Sequence, residues 1–137
     1  MMHCGLLGQK LSHSYSPAIH SMLGNYEYKL YETEPENVET FLRKGDFDAL
    51  NVTIPYKKCA AAICDELSET ARAIGSVNTI VRRADGTFYG DNTDVYGFEE
   101  LLRRAVFSPR AKKVLVLGSG GASAAVVYAL EKQQARE

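Results

Sequence analysis

The chain has 137 residues, enough for one domain and the opening of a second. Its 16 Lys and Arg against 17 Asp and Glu leave a formal charge of −1, so it lacks the basic surplus that nucleic acid or an acidic membrane would demand. Apolar residues at 45% and charged ones at 24% are the mix of a globular protein, and no apolar run approaches a membrane span.

Segments of different type alternate along the chain. Residues 3–7 are a short apolar run closed by Gly8, a first strand. Ser16 before Pro17 offers an N-cap with proline at the first helical position, predicting a helix to about Leu23 that stops at Gly24. Residues 26–30 alternate apolar with polar and are rich in tyrosine, as a strand does. Pro35 opens a second helix, with Val38, Phe41 and Leu42 on one face and Gly45 past its end. Residues 47–54 read as a buried strand that Pro55 ends, and a helix is predicted over 66–74. Residues 77–81 and 87–89 flank Ala84-Asp85-Gly86 and predict a hairpin. Residues 94–106 are helical by the spacing of Phe98, Leu101 and Leu102. The expected architecture is a three-layer α/β domain, its mostly parallel mixed sheet covered on both faces and including one antiparallel hairpin strand.

Ser108-Pro109-Arg110 marks a boundary. Lys112-Lys113-Val114-Leu115-Val116-Leu117, a glycine turn and an alanine-rich helix then read as the first strand and helix of a Rossmann domain. The division expected is a first domain over 1–107 and an incomplete dinucleotide-binding domain over 108–137, with the chain cut short, because a parallel strand needs a second one beside it. The turn is built from Gly118, Ser119, Gly120, Gly121, Ala122 and Ser123. Glycines let backbone approach a pyrophosphate, and the helix start favours its charge. Ser123 stands where G-x-G-x-x-G has its third glycine, and an ordinary strand–helix turn would also explain the pattern. The residue that reads the ribose, about 20 positions onward, falls near or past Glu137.

Three stretches of the first domain resist a purely structural reading. Ser12, Ser14 and Ser16 crowd one loop, where capping accounts for Ser16 alone. Asn51-Val52-Thr53-Ile54-Pro55-Tyr56-Lys57 places a lysine at a helix start, where the dipole disfavours a cation. Gly90-Asp91-Asn92-Thr93-Asp94 gathers small polar residues at a strand-to-helix junction, with a simple N-cap as the alternative for Asp94. Both junctions lie at strand carboxyl ends, where open α/β sheets bind ligands. The histidines His3, His13 and His20 form no metal spacing with Cys4, so no metal is expected. Tyr26, Tyr28 and Tyr31 read as strand packing. Cys59 and Cys64 read as small apolar fillers. With no export signal visible at the N-terminus, the expected compartment is the cytoplasm, with reduced thiols.

Taken in order, Ser12-His13-Ser14-Tyr15-Ser16-Pro17-x-x-His20, Asn51 to Lys57, Ile74-Gly75-Ser76-Val77-Asn78-Thr79, Gly90 to Asp94 and the glycine turn resemble the motifs of shikimate dehydrogenases. The resemblance implies NADPH-dependent reduction of 3-dehydroshikimate to shikimate, in chorismate and aromatic amino-acid biosynthesis. It also implies substrate contacts at Ser14, Ser16, Thr53, Lys57, Asn78 and Asp94, with Lys57 as acid/base assisted by Asp94. The cofactor pyrophosphate would lie on Gly118 to Ser123, and Glu69 matches a position sometimes assigned to cofactor contact. Ser21 and Val95 depart from the family pattern at positions that often hold Asn and Gly. The Asn-Arg-Thr loop and the Gly-Gln helix of the family's second half have no counterpart here.

The chemistry agrees with those roles. A carbonyl accepting hydride develops charge on oxygen, to which an ammonium can donate a proton. Serine hydroxyls suit a carboxylate. Two other readings stay open: a module that binds a shikimate-like ligand without redox chemistry, and a quinate-using relative. No nucleic-acid or membrane partner is expected, and a homodimer is left open.

Overall fold

A computed structural model describes residues 1–136 of the chain. Its elements are β1 (His3–Gly8), α1 (Ser16–Leu23), β2 (Glu27–Glu32), a 3-10 turn (Pro35–Asn37), α2 (Val38–Lys44), β3 (Ala49–Val52) and α3 (Lys57–Ile63). They continue with β4 (Glu66–Leu67), α4 (Glu69–Ile74), β5 (Thr79–Arg82), β6 (Phe88–Asp91), α5 (Asp94–Arg104) and α6 (Gly121–Lys132). The six strands form one mixed sheet in the order β2-β1-β3-β5-β6-β4. β1 runs parallel to β2 and β3, β5 is antiparallel to both its neighbours, and β4 is parallel to β6. The mixed α/β sheet expected from the alternating segments is therefore present.

The register decides which side chains share a face. Leu7 pairs with Val52, and Leu50 with Ile80, so these residues line one side of the sheet. There they meet Val38 and Leu42 of α2, Ala60 of α3 and Ala71 of α4 in the main core, with Phe47 and Phe88 at one end. α1 lies over the other face, where His20 stacks on Tyr28 at a centroid distance of 3.8 Å. A second small cluster joins Val95 of α5 to Ala125 and Ala129 of α6 and borrows Ile74 of α4.

Two elements differ from the sequence expectation. The helix predicted from 66 begins at Glu69, because the Ser68 hydroxyl accepts the Ala71 N–H at 3.0 Å and caps it there. Glu66 and Leu67 are thereby freed to pair with Tyr89 and Gly90 at the sheet edge. The strand expected over 112–117 is reduced to a single parallel bridge between Lys113 and Arg136. Leu115 and Leu117 stand exposed, since no strand among the described residues flanks them.

Candidate active site

The site begins where β3 stops. The Thr53 N–H donates to the Leu7 carbonyl (2.9 Å), and the Tyr56 N–H closes a turn onto the Thr53 carbonyl (2.9 Å). Tyr56 is buried, and its hydroxyl bonds the Thr33 carbonyl. Lys57 follows as the first residue of α3, its carbonyl accepting the Val77 N–H at 2.9 Å. Held at both flanks, Lys57 extends its ammonium to Asp94, with Nζ and Oδ2 2.5 Å apart. The pair is half-buried, with 16% of the lysine side chain and 34% of the aspartate side chain exposed.

Asp94 is the first residue of α5, a helix end that favours an anion as much as the start of α3 disfavours the lysine. Its other oxygen is also taken: Asn78 Nδ2 donates to Oδ1 at 2.8 Å. The second hydrogen of that amide goes to Thr93 Oγ1 at 3.0 Å, and Asn78 Oδ1 accepts the Thr93 N–H (2.9 Å) and the Thr79 hydroxyl (3.0 Å). Asn78 is buried and fully engaged, so it fixes Asp94 from behind. Asn92 completes the frame: its Oδ1 accepts the Asp94 N–H (3.1 Å) and its amide donates to the Ser76 carbonyl (3.0 Å). The simple N-cap reading of Asp94 is thus displaced. Thr93 occupies the cap, Asn92 satisfies the backbone N–H, and the Asp94 carboxylate serves Lys57.

Two clefts open on either side of Thr53. One, of about 410 Å³, is walled by Thr53, Ile54, Pro55 and Lys57 on one side and by Gly120 and Gly121 of the glycine turn on the other. A Cβ built on Gly121 would lie 3.5 Å from Lys57 Cδ and 3.6 Å from Ser76 Oγ, so this turn abuts the lysine. Gly118 holds φ at 128°, a conformation that favours glycine. α6 starts at Gly121 with no side-chain cap and no acidic residue in its first turn, which leaves N–H groups and dipole available to an anion. Ser76 Oγ, beside the turn, is the one buried side-chain polar atom among the described residues with no hydrogen-bond partner. Ser123 is spent locally, its hydroxyl donating to the Gly120 carbonyl at 2.7 Å, while Ser119 is exposed and Ala122 lines the cleft.

The second cleft, of about 580 Å³, brings Ser12, His13, Ser14 and Ser16 to Thr53. Here the structure reverses the capping expectation. Tyr15 holds the cap position, and it is the Ser14 hydroxyl that accepts the Ser16 N–H, at 3.2 Å. Ser16 instead neighbours Tyr28, whose phenol burial pushes up to about 12 while the Ser16 hydroxyl pulls the other way. The Tyr28 hydroxyl donates to Asn51 Oδ1 at 2.8 Å, so Tyr28 does more than pack a strand. Glu69 is exposed on the first turn of α4 and lines neither cleft. Sequence reading passed over Asn92 and the Tyr28–Asn51 link. Asn92 stood inside a motif already singled out, whereas Tyr28 and Asn51 meet only through the sheet.

Comparison with known proteins places this geometry. The family model for the shikimate dehydrogenase substrate binding domain matches residues 6–80. A shikimate dehydrogenase (NADP(+)) of Methanopyrus kandleri is 43% identical over 97% of this chain and 49% of its own length. One of Paramagnetospirillum magneticum is 42% identical over 92% of this chain and 49% of its own. Among solved structures, shikimate dehydrogenase 1 of Peptoclostridium difficile superposes with a TM-score of 0.91 at 34% identity, covering 98% of this chain and 53% of that one. The Thermus thermophilus shikimate 5-dehydrogenase in complex with NADP(H) and shikimate gives 0.88 at 34% identity, over 98% of this chain and 54% of that one. The chain spans about half the length of the curated relatives it matches.

Proposed function

We propose, proceeding from the fact that this chain belongs to the shikimate dehydrogenase family, that it carries the substrate-binding and proton-transferring part of an NADP-linked reduction of 3-dehydroshikimate to shikimate. Residues 1–107 form the substrate unit in this reading, and residues 108–137 open a dinucleotide-binding unit. The observation that carries it is the 2.5 Å Lys57–Asp94 pair on the wall of a cleft whose opposite wall is a glycine turn.

The turn fits a dinucleotide on the structure's own terms. Gly118 and Gly120 have open space where a Cβ would stand, the start of α6 is uncapped, and an unpartnered hydroxyl lies beside it at Ser76. Gly118, Ser119, Gly120, Gly121, Ala122 and Ser123 would hold the pyrophosphate of NADP(H), which when bound supplies the hydride. Glu69 has no role in this reading. The Ser14 and Ser16 hydroxyls take the ring carboxylate, and Thr53, shared by both clefts, takes a ring hydroxyl. The Lys57 ammonium donates a proton to the substrate carbonyl oxygen as negative charge develops there. In the reverse direction the neutral amine takes that proton back. Asp94 orients the ammonium, and Asn78 keeps Asp94 in place.

Titration of the chain with shikimate, followed by calorimetry, tests the binding part, and NADP⁺ reduction in the presence of shikimate tests the chemistry. Saturable shikimate binding that survives Lys57→Ala is expected. A chain that binds no shikimate, or whose turnover is indifferent to Lys57, would sink the reading.

A further inference from the structure

Serine hydroxyls by themselves discriminate poorly between a carboxylate and a neutral ester, because they donate to either. The second cleft contains one more group that does discriminate. Lys10 lines it together with Ser12, His13, Ser14, Ser16 and Thr53. The loop that carries Lys10 is pinned on both sides. Leu11 is buried, its N–H donates to Glu32 Oε1 at 2.6 Å, and its carbonyl accepts the Ser14 N–H at 2.9 Å. Gly8 packs so tightly under Leu11 and Thr53 that a Cβ there would stand 2.6 Å and 2.8 Å from their methyl groups. Lys10 therefore springs from a fixed point on the cleft rim.

Its charge is also uncommitted. None of the ion pairs among the described residues involves Lys10. Two carboxylates held by the same loop are already engaged, Glu32 at the end of β2 with the Leu11 N–H and Glu34 beyond it with the Gln9 amide. An exposed ammonium without a partner, on the rim of a cleft floored by hydroxyls, is arranged to meet an anion. We propose that Lys10 is a specificity-determining residue for the carboxylate of the substrate, favouring ring acids over their neutral esters and amides. This rests on the reading of Ser14 and Ser16 given above and adds to it the charge selection those hydroxyls lack.

The test titrates the full chain with shikimate and with its uncharged methyl ester, by NMR or calorimetry at low and high salt. Lys10→Gln is expected to raise the Kd for shikimate roughly three- to tenfold at low salt, with the difference shrinking as salt screens the pair. The Kd for the ester should not move, and the unfolding temperature should stay put because Lys10 is exposed. Lys10→Glu should weaken shikimate further. An unchanged Kd in Lys10→Gln, or equal weakening of acid and ester, overturns the proposal while leaving the serine site standing. Failure of the unaltered chain to bind either ligand, or indifference to Ser14→Ala and Ser16→Ala together, overturns the underlying reading and Lys10's role with it.

Discussion

Residues 49–52 and residues 114–117 are both short apolar-rich stretches at the start of a strand–turn–helix sequence, yet only the first becomes a strand. Leu50 is 1% exposed and Leu117 87%. β3 has β1 on one side and β5 on the other, whereas among the described residues 114–117 has only the bridge from Lys113 to Arg136 next to it. β propensity is a statement about fitting a pleated surface with neighbours, and without neighbours it yields nothing. Helices behave differently. α6 makes its hydrogen bonds within itself, so it forms and then packs Ala125 and Ala129 against α5. The proposed active site lies where residues 1–107, the first region, meet residues 108–136, the second: the first supplies the ion pair, and the second a wall formed by the glycine turn.

That asymmetry sets the largest expected effect. Where the chain supports shikimate turnover, Lys57→Ala should lower kcat by roughly 10²–10⁴, the usual scale for a lost acid/base group, with much less change in shikimate affinity. Lys57→Arg should not restore the rate, since a guanidinium gives up its proton too reluctantly. If Lys57→Ala cost affinity and spared kcat, the lysine would be a substrate-holding cation, and the chemistry would not belong to the first region's ion pair.

The contrast in packing can be tested directly. Leu50→Ala should destabilise the fold by about 2–5 kcal/mol, the cost of a cavity in a closed core. Leu117→Ala should change stability by less than about 0.5 kcal/mol, as exposed substitutions do. Chemical denaturation of both variants checks this, and equal losses would mean that 114–117 is covered in solution.

Much of this was legible in the sequence, and the failures share a cause. Prolines and glycines marked α1, α2 and the turn before α3, and the hairpin of β5 and β6 followed from Ala84-Asp85-Gly86. Lys57 and Asp94 stood out because each is locally awkward, a cation at a helix start and an acid among small polar residues. What stayed hidden depends on neighbours distant in sequence. A two-residue edge strand such as β4 has no period to detect. Ser16 starts α1 rather than capping it, and its N–H goes to the Ser14 hydroxyl, a contact between neighbours in a loop that no periodicity announces. Arg82 gave no signal, although it holds one end of the core together. It donates to the carbonyls of Phe47 (3.0 Å), Leu42 (3.3 Å) and Gly45 (2.8 Å), which closes the C-terminal end of α2. Its guanidinium also lies 4.5 Å and 4.8 Å from the ring centres of Phe47 and Phe88.

Arg82 gives the next prediction. Arg82→Leu keeps bulk but leaves those carbonyls unpartnered, so unfolding should become easier by about 2–3 kcal/mol. The loss should appear as earlier exchange of the α2 and β3 amides, with the amides of α6 little changed. A global loss that spread equally to α6 would show that the two regions unfold as one unit.

The smallest effect concerns the thiols at alkaline pH, which belong to residues 1–107, where Cys4, Cys59 and Cys64 all lie. Cys64 packs against Gly90 so closely that a Cβ on the glycine would come within 2.8 Å of its sulfur. Burial pushes its thiol up from the ordinary 9.0 to about 11, and the neighbouring Asp65 adds to the shift. The sign follows from which state ionises first. Below 9.0 the thiol is protonated folded or unfolded, and the burial of the neutral group counts in full. Above it the unfolded chain releases the proton while the folded chain still holds it, so stability falls as pH climbs through about 11. Cys64→Ala removes this group from the balance. Whatever it does to stability at neutral pH, the further decline between neutral pH and about pH 10 should be shallower than in the unaltered chain. Thermal unfolding at the two pH values measures the difference of slopes. Parallel slopes would mean that Cys64, just past the end of α3, is as open to water as the exposed Cys59 within it, and that this corner of the first region is packed no better than residues 114–117.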